Sequence, residues 1–396
     1  MVVGEMLLRN ANKFPEKMAI VSKDLSMSYQ VLNERVNRLA NALIKKGLKK
    51  GDRIGILVHN GYQFIETYFA AAKTGGIFCP YNNHLKEREL NYLINYSSPR
   101  FLFLDTDFGD IINSIKGHLE SLEYYICLQN PRWSSMEDYE GLLSKGDKIE
   151  PGIKILDNDI MSIFFTAGTT GRPKGAMRTH RQVVSNAMTG VIELKVSYHE
   201  RALISFPMYH VSCEDNMGRH FFMPNTIFIR REGQFDPKEV LELLSTERIT
   251  MCQFVPTMIS ALLQHRDIDR YDLSSLRLIL YAGAPMPVEL LKRALQKFKC
   301  GFAQLYGQTE SGPIITILHP EDHVLEGSER QLRKLASAGR PVLNYEVKII
   351  DEQGKAVLAG EVGEVIGRSE AVMKRYWRLP KESKEKLKDG WLHTGD

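Results

Sequence analysis

The sequence predicts an α/β protein with mostly parallel β-sheets and a small β-rich region near the C-terminus. Short apolar strands alternate with helical segments about every two dozen residues, which is typical of βαβ units. An apolar run at Phe164-Phe165 leads into a loop rich in glycine and threonine. After Gly339 the rhythm changes, and two strand-like runs flank a turn.

The composition indicates a globular protein with more than one folding unit. The chain has 396 residues, 43% hydrophobic and 25% charged, and this length predicts about two or three folding units. The net charge of +4, from 52 basic and 48 acidic residues, argues against a nucleic-acid binder. We predict neither a signal peptide nor a transmembrane segment. Five cysteines without a C-x-x-C pair favour a reduced, cytoplasmic setting.

The N-terminal half is predicted to contain one helix followed by alternating strands and helices. Apolar residues on one face of 28–47 predict a helix that ends at Gly47. The segments that follow are predicted as strands at 53–58, 77–81, 100–104 and 124–128 and as helices at 61–74, 86–96 and 109–122.

The alternation resumes in the C-terminal half, with strands predicted at 202–206, 227–229, 251–255 and 276–281. Asp236-Pro237 starts a helix, because a capping residue precedes a proline at the first helical position. Beyond Gly339, the runs 345–351 and 362–367 predict a hairpin within a small sheet or barrel. The segment 381–389 reads as a charged helix or loop.

The loop at 166–175, Thr-Ala-Gly-Thr-Thr-Gly-Arg-Pro-Lys-Gly, has the chemistry of a phosphate site. Glycines admit an anion close to the backbone, and N–H groups, hydroxyls and the Lys174 ammonium can donate to phosphate oxygens. It is not the common P-loop, because Pro173 and Gly175 occupy positions where that motif needs glycine and a hydroxyl. A different nucleotide chemistry is therefore indicated.

Further chemical groups follow other predicted strands. Tyr306-Gly307-Gln308-Thr309-Glu310 brings together a ring, a hydroxyl and a carboxylate, and a carboxylate near phosphates usually holds Mg²⁺. The small residues of 282–285 would let a flat ring approach the backbone, and His210 follows the strand at 202–206. Asp396 comes after Gly395.

In this order, these clusters resemble the acyl-adenylate-forming superfamily, which includes acyl-CoA synthetases, peptide-synthetase adenylation domains and firefly luciferase. The loop resembles the motif (S/T)-(S/T)-G-(S/T)-T-G-x-P-K-G, 306–310 resembles Y-G-x-T-E, and 390–396 resembles G-W-x-x-T-G-D. Weaker motif matches at 27–32, 360–364 and 376–377 extend the likeness over about 27–396. It is strongest to acyl-CoA synthetases and fatty-acid–CoA ligases, and implies two mostly parallel sheets packed with helices in α/β/α/β/α layers.

The resemblance also implies the role of each site residue. Tyr306 would stack on adenine beside Gly283, Ala284 and Pro285, and Asp396 would bind the ribose hydroxyls. Thr309 would contact the α-phosphate, Glu310 would ligate Mg²⁺, and His210 would lie at the mouth of the acyl pocket. The loop over the β- and γ-phosphates would comprise Thr166, Gly168, Thr169, Thr170, Gly171 and Lys174.

The implied reaction joins a carboxylic acid, of a fatty or other hydrophobic kind, to ATP and then to a thiol. Attack of the carboxylate on the α-phosphate would give an acyl-adenylate and pyrophosphate, and the thiol of CoA would then take the acyl group. The implied partners are small molecules, without nucleic acid, and a homo-oligomer is left open.

Two departures from the family pattern qualify this reading. Ala167 replaces a hydroxyl residue of the loop, and the family's separate small domain after T-G-D, which supplies a catalytic lysine, is not in this sequence. We therefore expect a large AMP-binding region of two related subdomains at 1–339 and a small β-rich subdomain at 340–396. The mobile C-terminal domain is expected to be absent, so we expect impaired turnover by this chain.

Other functions remain open at this stage. Glu214-Asp215, just past His210, would suit an amino-acid or cationic substrate. The acyl acceptor could instead be a carrier protein, or the chain could be a non-catalytic fragment that binds nucleotide or acyl-adenylate.

Overall fold

The computed structural model describes residues 1–166, 172–231 and 233–396 of the chain. Its strands, in chain order, are β1 Met18–Ser22, β2 Ser26–Ser28, β3 Arg53–Leu57, β4 Ile77–Pro80, β5 Phe101–Leu104, β6 Tyr124–Cys127, β7 Met136–Asp138, β8 Ile160–Thr166, β9 Lys174–Thr179, β10 Arg201–Ile204, β11 Thr226–Ile229, β12 Met251–Phe254, β13 Leu278–Tyr281, β14 Gly301–Tyr306, β15 Thr316–Leu318, β16 Arg340–Pro341, β17 Glu346–Ile350, β18 Glu364–Arg368, β19 Arg375–Tyr376, β20 Leu387–Lys388 and β21 Trp391–His393.

The α-helices accompany these strands in the predicted alternation. They are α1 Val3–Lys13, α2 Tyr29–Lys45, α3 Tyr62–Thr74, α4 Glu87–Ser97, α5 Gly109–Ile115, α6 Tyr139–Ser144, α7 His180–Glu193, α8 Val211–Phe222, α9 Pro237–Thr246, α10 Pro256–Gln264, α11 Val288–Phe298, α12 Glu329–Arg333 and α13 Pro380–Lys386. Within the described ranges, every helix is too short or too polar to span a lipid bilayer.

Two large sheets contain most of the strands. Among the described residues, one sheet has nine strands in the order β16-β15-β14-β13-β12-β10-β11-β1-β2, and its pairs from β14 to β1 are parallel. The other has eight in the order β19-β9-β8-β4-β3-β5-β6-β7, parallel from β8 to β7. Both sheets end in antiparallel strands at an edge.

Helices α7 and α8 join the two sheets. Helix α7 packs on β8 and β9 of the eight-stranded sheet, α8 packs on β10 and β11 of the nine-stranded sheet, and the two helices pack on each other. A continuous apolar core includes Ile54 and Ile227 from the two sheets and Val183 and Phe221 from these helices. Because parallel strands are buried on both faces, their sequences are near-continuous apolar runs.

The third sheet is small and antiparallel, in the order β17-β18-β21-β20. It contains the predicted hairpin, since β17 pairs with β18 from Glu346↔Arg368 to Ile350↔Glu364. Two mostly parallel sheets with helices, plus this β-rich part near the C-terminus, confirm the predicted fold class.

Individual elements agree closely with the predictions. Helix α2 starts after Ser28, whose hydroxyl accepts from the Val31 N–H, and Gly47 follows the helix with φ +85°. The helix predicted at 109–122 is shorter than expected, because α5 ends at Ile115 and a 3₁₀ turn at Lys116–His118 replaces its last part. A glycine at 117 disfavours a longer helix there.

Candidate active site

A cleft of about 710 Å³ opens where several parallel strands of the nine-stranded sheet end. Strands β10, β13 and β14 run parallel within this sheet, so the loops after them meet at one edge, where α/β proteins bind ligands. The described residues that line the cleft include Thr166, Lys174, His210, Gly283, Thr309, Glu310, Tyr376, Lys386, Thr394 and Asp396. The cleft thus gathers predicted site residues from positions 166 to 396.

Asp396 lies against the end of β14. The Tyr306 hydroxyl donates a 2.8 Å hydrogen bond to Asp396 Oδ2, and Gln308 Nε2 donates to the same oxygen at 3.0 Å. Gln308 Nε2 also donates to the Thr394 carbonyl at 2.9 Å. Burial, together with the nearby Asp396 carboxylate, raises the pKa of the Tyr306 hydroxyl. The aromatic residue and the acid that were predicted to hold a nucleoside are therefore neighbours.

The turn after β14 needs glycine at two places. A Cβ at Gly307 would lie 2.3 Å from the Pro313 carbonyl oxygen, and Gly312 has φ +72° and would bring a Cβ 2.2 Å from the Ala371 carbonyl oxygen. Both glycines allow the chain to double back tightly, which leaves Thr309 and Glu310 on the wall of the cleft.

Glu310 is fixed from two directions. Its backbone carbonyl accepts a 2.8 Å hydrogen bond from the Met373 N–H, and its carboxylate Oε1 accepts a 2.6 Å hydrogen bond from the Tyr376 hydroxyl. The side chain is buried. In the sequence, residues 376–377 are only a weak motif match. The sequence did not predict that Tyr376 contacts Glu310.

The residues of the cleft fit a magnesium ion that would be bound partly by the protein and partly by phosphates of the substrate. In the described parts of the chain, no group of three or more His, Cys, Asp or Glu side chains could enclose a metal. Mg²⁺ is usually bound through one or two carboxylates plus substrate phosphates, and Glu310 offers one such carboxylate beside the cleft.

The ends of the predicted phosphate loop also reach the cleft. Strands β8 and β9 form an antiparallel pair in which Thr166 lies opposite Lys174. The Lys174 ammonium is 5.4 Å from the centroid of the Tyr376 ring, within the range of a cation–π contact. The predicted contacts Gly168, Thr169, Thr170 and Gly171 lie outside the described residues.

His210 caps the helix that borders the cleft. Its Nδ1 accepts from the Ser212 N–H at 3.2 Å, which satisfies a free donor at the start of α8. Surrounding protein lowers the pKa of the imidazole, so the ring is neutral near pH 7. A neutral imidazole at this point can exchange hydrogen bonds with a substrate without adding charge.

The three small residues after β13 differ in position. Gly283, with φ +83°, lines the cleft, and so does its neighbour Ala282. Ala284 and Pro285 are exposed in the same turn and are absent from the described lining of the cleft.

The carboxylates of Glu214 and Asp215 are committed to buried ion pairs. Glu214 pairs with Arg178 and accepts from the Ser162 hydroxyl at 2.7 Å. Asp215 pairs with Arg219, and Asn186 Nδ2 donates to it at 2.6 Å. Both side chains are buried, so an incoming substrate amine would have to displace an arginine.

A second pocket, of about 980 Å³, adjoins the first. The two share Thr166, His210, Val211 and Thr309 in their walls. The second pocket is otherwise lined mainly by apolar residues, together with Arg88, Glu89 and Tyr92 from α4 and with Arg172. The Arg172 guanidinium is 5.6 Å from the Tyr92 ring centroid. The sequence did not predict this pocket, because the contact between Tyr92 of α4 and Arg172 depends on the tertiary structure.

Comparison with known proteins agrees with this geometry. The model of the family described as AMP-binding enzyme matches residues 7–377. Feruloyl-CoA synthase of an Amycolatopsis species is 32% identical over all of this chain and 75% of its own length. Long-chain-fatty-acid–CoA ligase FadD13 of Mycobacterium tuberculosis is 29% identical, again over all of this chain and 75% of its own length.

A solved structure shows the same arrangement of elements. The crystal structure of the anthranilate CoA ligase AuaEII in complex with anthranoyl-AMP superposes with a TM-score of 0.94 at 26% identity, over all of this chain and 75% of that one. The relatives are CoA ligases and synthetases, and residues from several of the motifs that predicted an adenylating enzyme, among them Lys174, Glu310 and Asp396, line a single cleft. The chain therefore belongs to the AMP-binding enzyme family, as an AMP-forming acid–thiol ligase.

Proposed function

We propose that this protein activates a hydrophobic carboxylic acid with ATP and transfers the acyl group to CoA. The observation that carries the proposal is the meeting of two pockets at Thr166, His210, Val211 and Thr309. A reaction in two steps needs one space for the nucleotide and another for the thiol. The two spaces must meet where the acyl group is transferred from AMP to the thiol.

The first step belongs to the cleft that is lined by Gln308, Glu310 and Asp396, with Tyr306 hydrogen-bonded to Asp396. A carboxylate oxygen of the acid attacks the α-phosphorus of ATP, the bond to the β-phosphate breaks, and pyrophosphate leaves. Phosphoryl chemistry of this kind depends on positioning and on stabilising charge. Thr309 and Lys174 supply donors for the phosphates, while Asp396 and Gln308 supply polar groups for the ribose. Magnesium, when bound at Glu310, would neutralise charge on the phosphates.

The second step belongs to the adjoining pocket. The thiol of CoA loses its proton to solvent and its sulfur attacks the acyl carbonyl carbon. The bond from that carbon to the AMP phosphate oxygen breaks, and AMP leaves with that oxygen. An apolar wall with Arg88 and Arg172 beside it suits a long thiol arm that ends in phosphates. His210, which borders both pockets, is positioned to bind the acyl group where the two steps meet.

A hydrophobic acid suits the site better than an amino acid. The carboxylates that could receive a substrate amine, Glu214 and Asp215, already pair with buried arginines. The relatives are named for ferulate, long-chain fatty acids and anthranilate, which are aromatic or aliphatic carboxylic acids. Transfer to the thiol of a carrier protein uses the same chemistry and is an outcome of the test below.

The test follows exchange of labelled pyrophosphate into ATP with a panel of fatty, aromatic and amino acids. We expect exchange with hydrophobic acids and little with amino acids, because the latter would bury an unpaired ammonium. Thioester formation is then measured with CoA and with a phosphopantetheine-bearing carrier protein. Exchange that is specific for an amino acid would overturn the proposed substrate class, and thioester on the carrier protein alone would overturn the proposed acceptor.

A further inference from the structure

Lys386 is a lysine of the cleft to which the sequence pattern gave no role. It is the last residue of α13, within the segment predicted only as a charged helix or loop. Its side chain is half-buried and lines the cleft together with Glu310 and Asp396. Helix α13 begins with Pro380 just after β19, so the strand that contains Tyr376 directs this lysine into the cleft.

The ammonium of Lys386 retains free hydrogen-bonding capacity. Among the described residues, Nζ donates one hydrogen bond, of 2.8 Å, to the Thr394 carbonyl. A lysine ammonium has three donors, so two remain for another ligand. In the described part of the chain, Lys386 forms no ion pair, although the charges of Glu310, Glu364 and Asp396 act on it. The ammonium is therefore anchored on one side and available on the other.

A second cation borders the same space. Lys174 also lines the cleft, and its charge opposes the protonated form of Lys386. Burial, the largest influence, lowers the pKa of Lys386. Two partly desolvated ammonium groups near one another favour an anion between them, since a bound anion stabilises both charged forms. Partial burial also strengthens the attraction to that anion, because the effective dielectric is lower than in water.

We propose that Lys386 binds phosphate oxygens of the nucleotide, as a second cationic ligand beside Lys174. This inference rests on the proposed nucleotide site, and it adds a residue that comes from α13 and not from the glycine loop. Binding of the phosphates would place a charge-assisted hydrogen bond on the side of the cleft formed by Thr394 and Asp396.

A purely structural role would have a different signature. If Lys386 only supports the Thr394 carbonyl, its loss would disturb the adjacent Asp396 and weaken every ligand that contains the nucleoside. A lysine that binds phosphate oxygens, by contrast, contributes to affinity only when the ligand contains phosphates. The affinity for adenosine therefore separates the two roles.

The experiment measures the affinities of ATP, AMP and adenosine by calorimetry for the unmodified chain and for three variants. Lys386→Met removes the charge, Lys386→Arg keeps it, and Lys384→Met is the matched control, since Lys384 lies on the same helix, is exposed and is not among the described residues of the cleft. We expect Lys386→Met to bind ATP about tenfold to a hundredfold more weakly, with adenosine unchanged, and Lys386→Arg to recover most of the loss.

Each outcome decides between the roles. Equal ATP affinity for Lys386→Met and the unmodified chain would overturn the inference while the proposed nucleotide site stands. An equal loss for ATP and adenosine would also overturn it, in favour of the structural role. Failure of the unmodified chain to bind ATP would overturn the nucleotide site itself and the inference with it. Thermal unfolding of each variant controls for misfolding. If Lys386→Met is unstable, the affinities of Lys386→Arg for ATP and adenosine are compared with those of the unmodified chain instead.

Discussion

The hydroxyl of Tyr376 donates a 2.6 Å hydrogen bond to Oε1 of Glu310, although the two residues are 66 positions apart in the chain. This contact joins the turn after β14 to the edge strand β19 of the other large sheet. A carboxylate that is held in this way has a fixed orientation toward the cleft, and the neighbours that orient a metal ligand usually contribute to metal affinity.

Tyr376→Phe is expected to weaken magnesium-dependent binding of ATP about tenfold, because Glu310 loses its orienting donor. Phenylalanine keeps the ring near the Lys174 ammonium, so binding of ATP without magnesium should change little. Titration of ATP at several magnesium concentrations measures the effect. An unchanged magnesium dependence would contradict an orienting role for this hydroxyl.

Glu310→Gln is expected to abolish the magnesium dependence of ATP binding, because the amide is neutral and a poor ligand for a hard cation. Glu352→Gln, in an exposed loop, is the matched control and should behave like the unmodified chain. The same magnesium titration applies. Tighter binding of ATP with magnesium than without it, in Glu310→Gln, would show that the ion binds elsewhere.

The sequence predicted the fold and most residues of the cleft because both depend on local patterns. Mostly apolar runs of three to six residues identified the parallel strands, and the motif Tyr306–Glu310 begins at the end of a short apolar run. The structure brings Thr166, Lys174, Thr309, Glu310 and Asp396 to one cleft, as the motif order implied.

What the sequence could not give are contacts that depend on how distant segments meet. Gln308 is the variable position of its motif, yet its side chain reaches Asp396. Lys386 and Tyr376 enter the cleft only because β19 pairs with β9 of the eight-stranded sheet. The ion pairs of Glu214 and Asp215 likewise depend on helix packing, which is why the sequence left a substrate role for these acids open.

Glu214→Gln is expected to destabilise the protein by about 3–5 kcal/mol, because it leaves the buried Arg178 charge without its partner. The double variant Arg178→Met, Glu214→Leu removes both charges and should be more stable than Glu214→Gln. Urea unfolding measures both. A loss below about 1 kcal/mol for Glu214→Gln would mean that Arg178 is neutralised by other groups.

His180 is expected to make the folded state less stable in mild acid. The imidazole is buried, and Nδ1 accepts a 3.2 Å hydrogen bond from the Val3 N–H. Burial lowers the pKa of His180 from 6.5 to about 4. Between these values the unfolded chain binds more protons than the folded chain, so this contribution to stability falls as the pH decreases from 6.5 toward 4, by at most about 1.4 kcal/mol per pH unit.

His180→Gln provides the comparison, since glutamine does not titrate. The free energy of unfolding, measured at several pH values, should depend less steeply on pH in the variant between about 4 and 6.5. The other titratable groups are the same in both proteins, so the difference between the two slopes is the quantity to measure. Identical slopes would mean that His180 has the same pKa in the folded and unfolded chains.

Arg88→Ala separates the functions of the two pockets. Arg88 lines only the second pocket among those described, so its loss should raise the KM for CoA about two- to fivefold while pyrophosphate exchange stays unchanged. Arg266→Ala is the control, because its side chain is 93% exposed and is not among the described residues that line either pocket. If the second pocket held the acyl group instead, the KM for the acid in pyrophosphate exchange would rise and the KM for CoA would not. The split between these two constants therefore assigns the occupant of the second pocket.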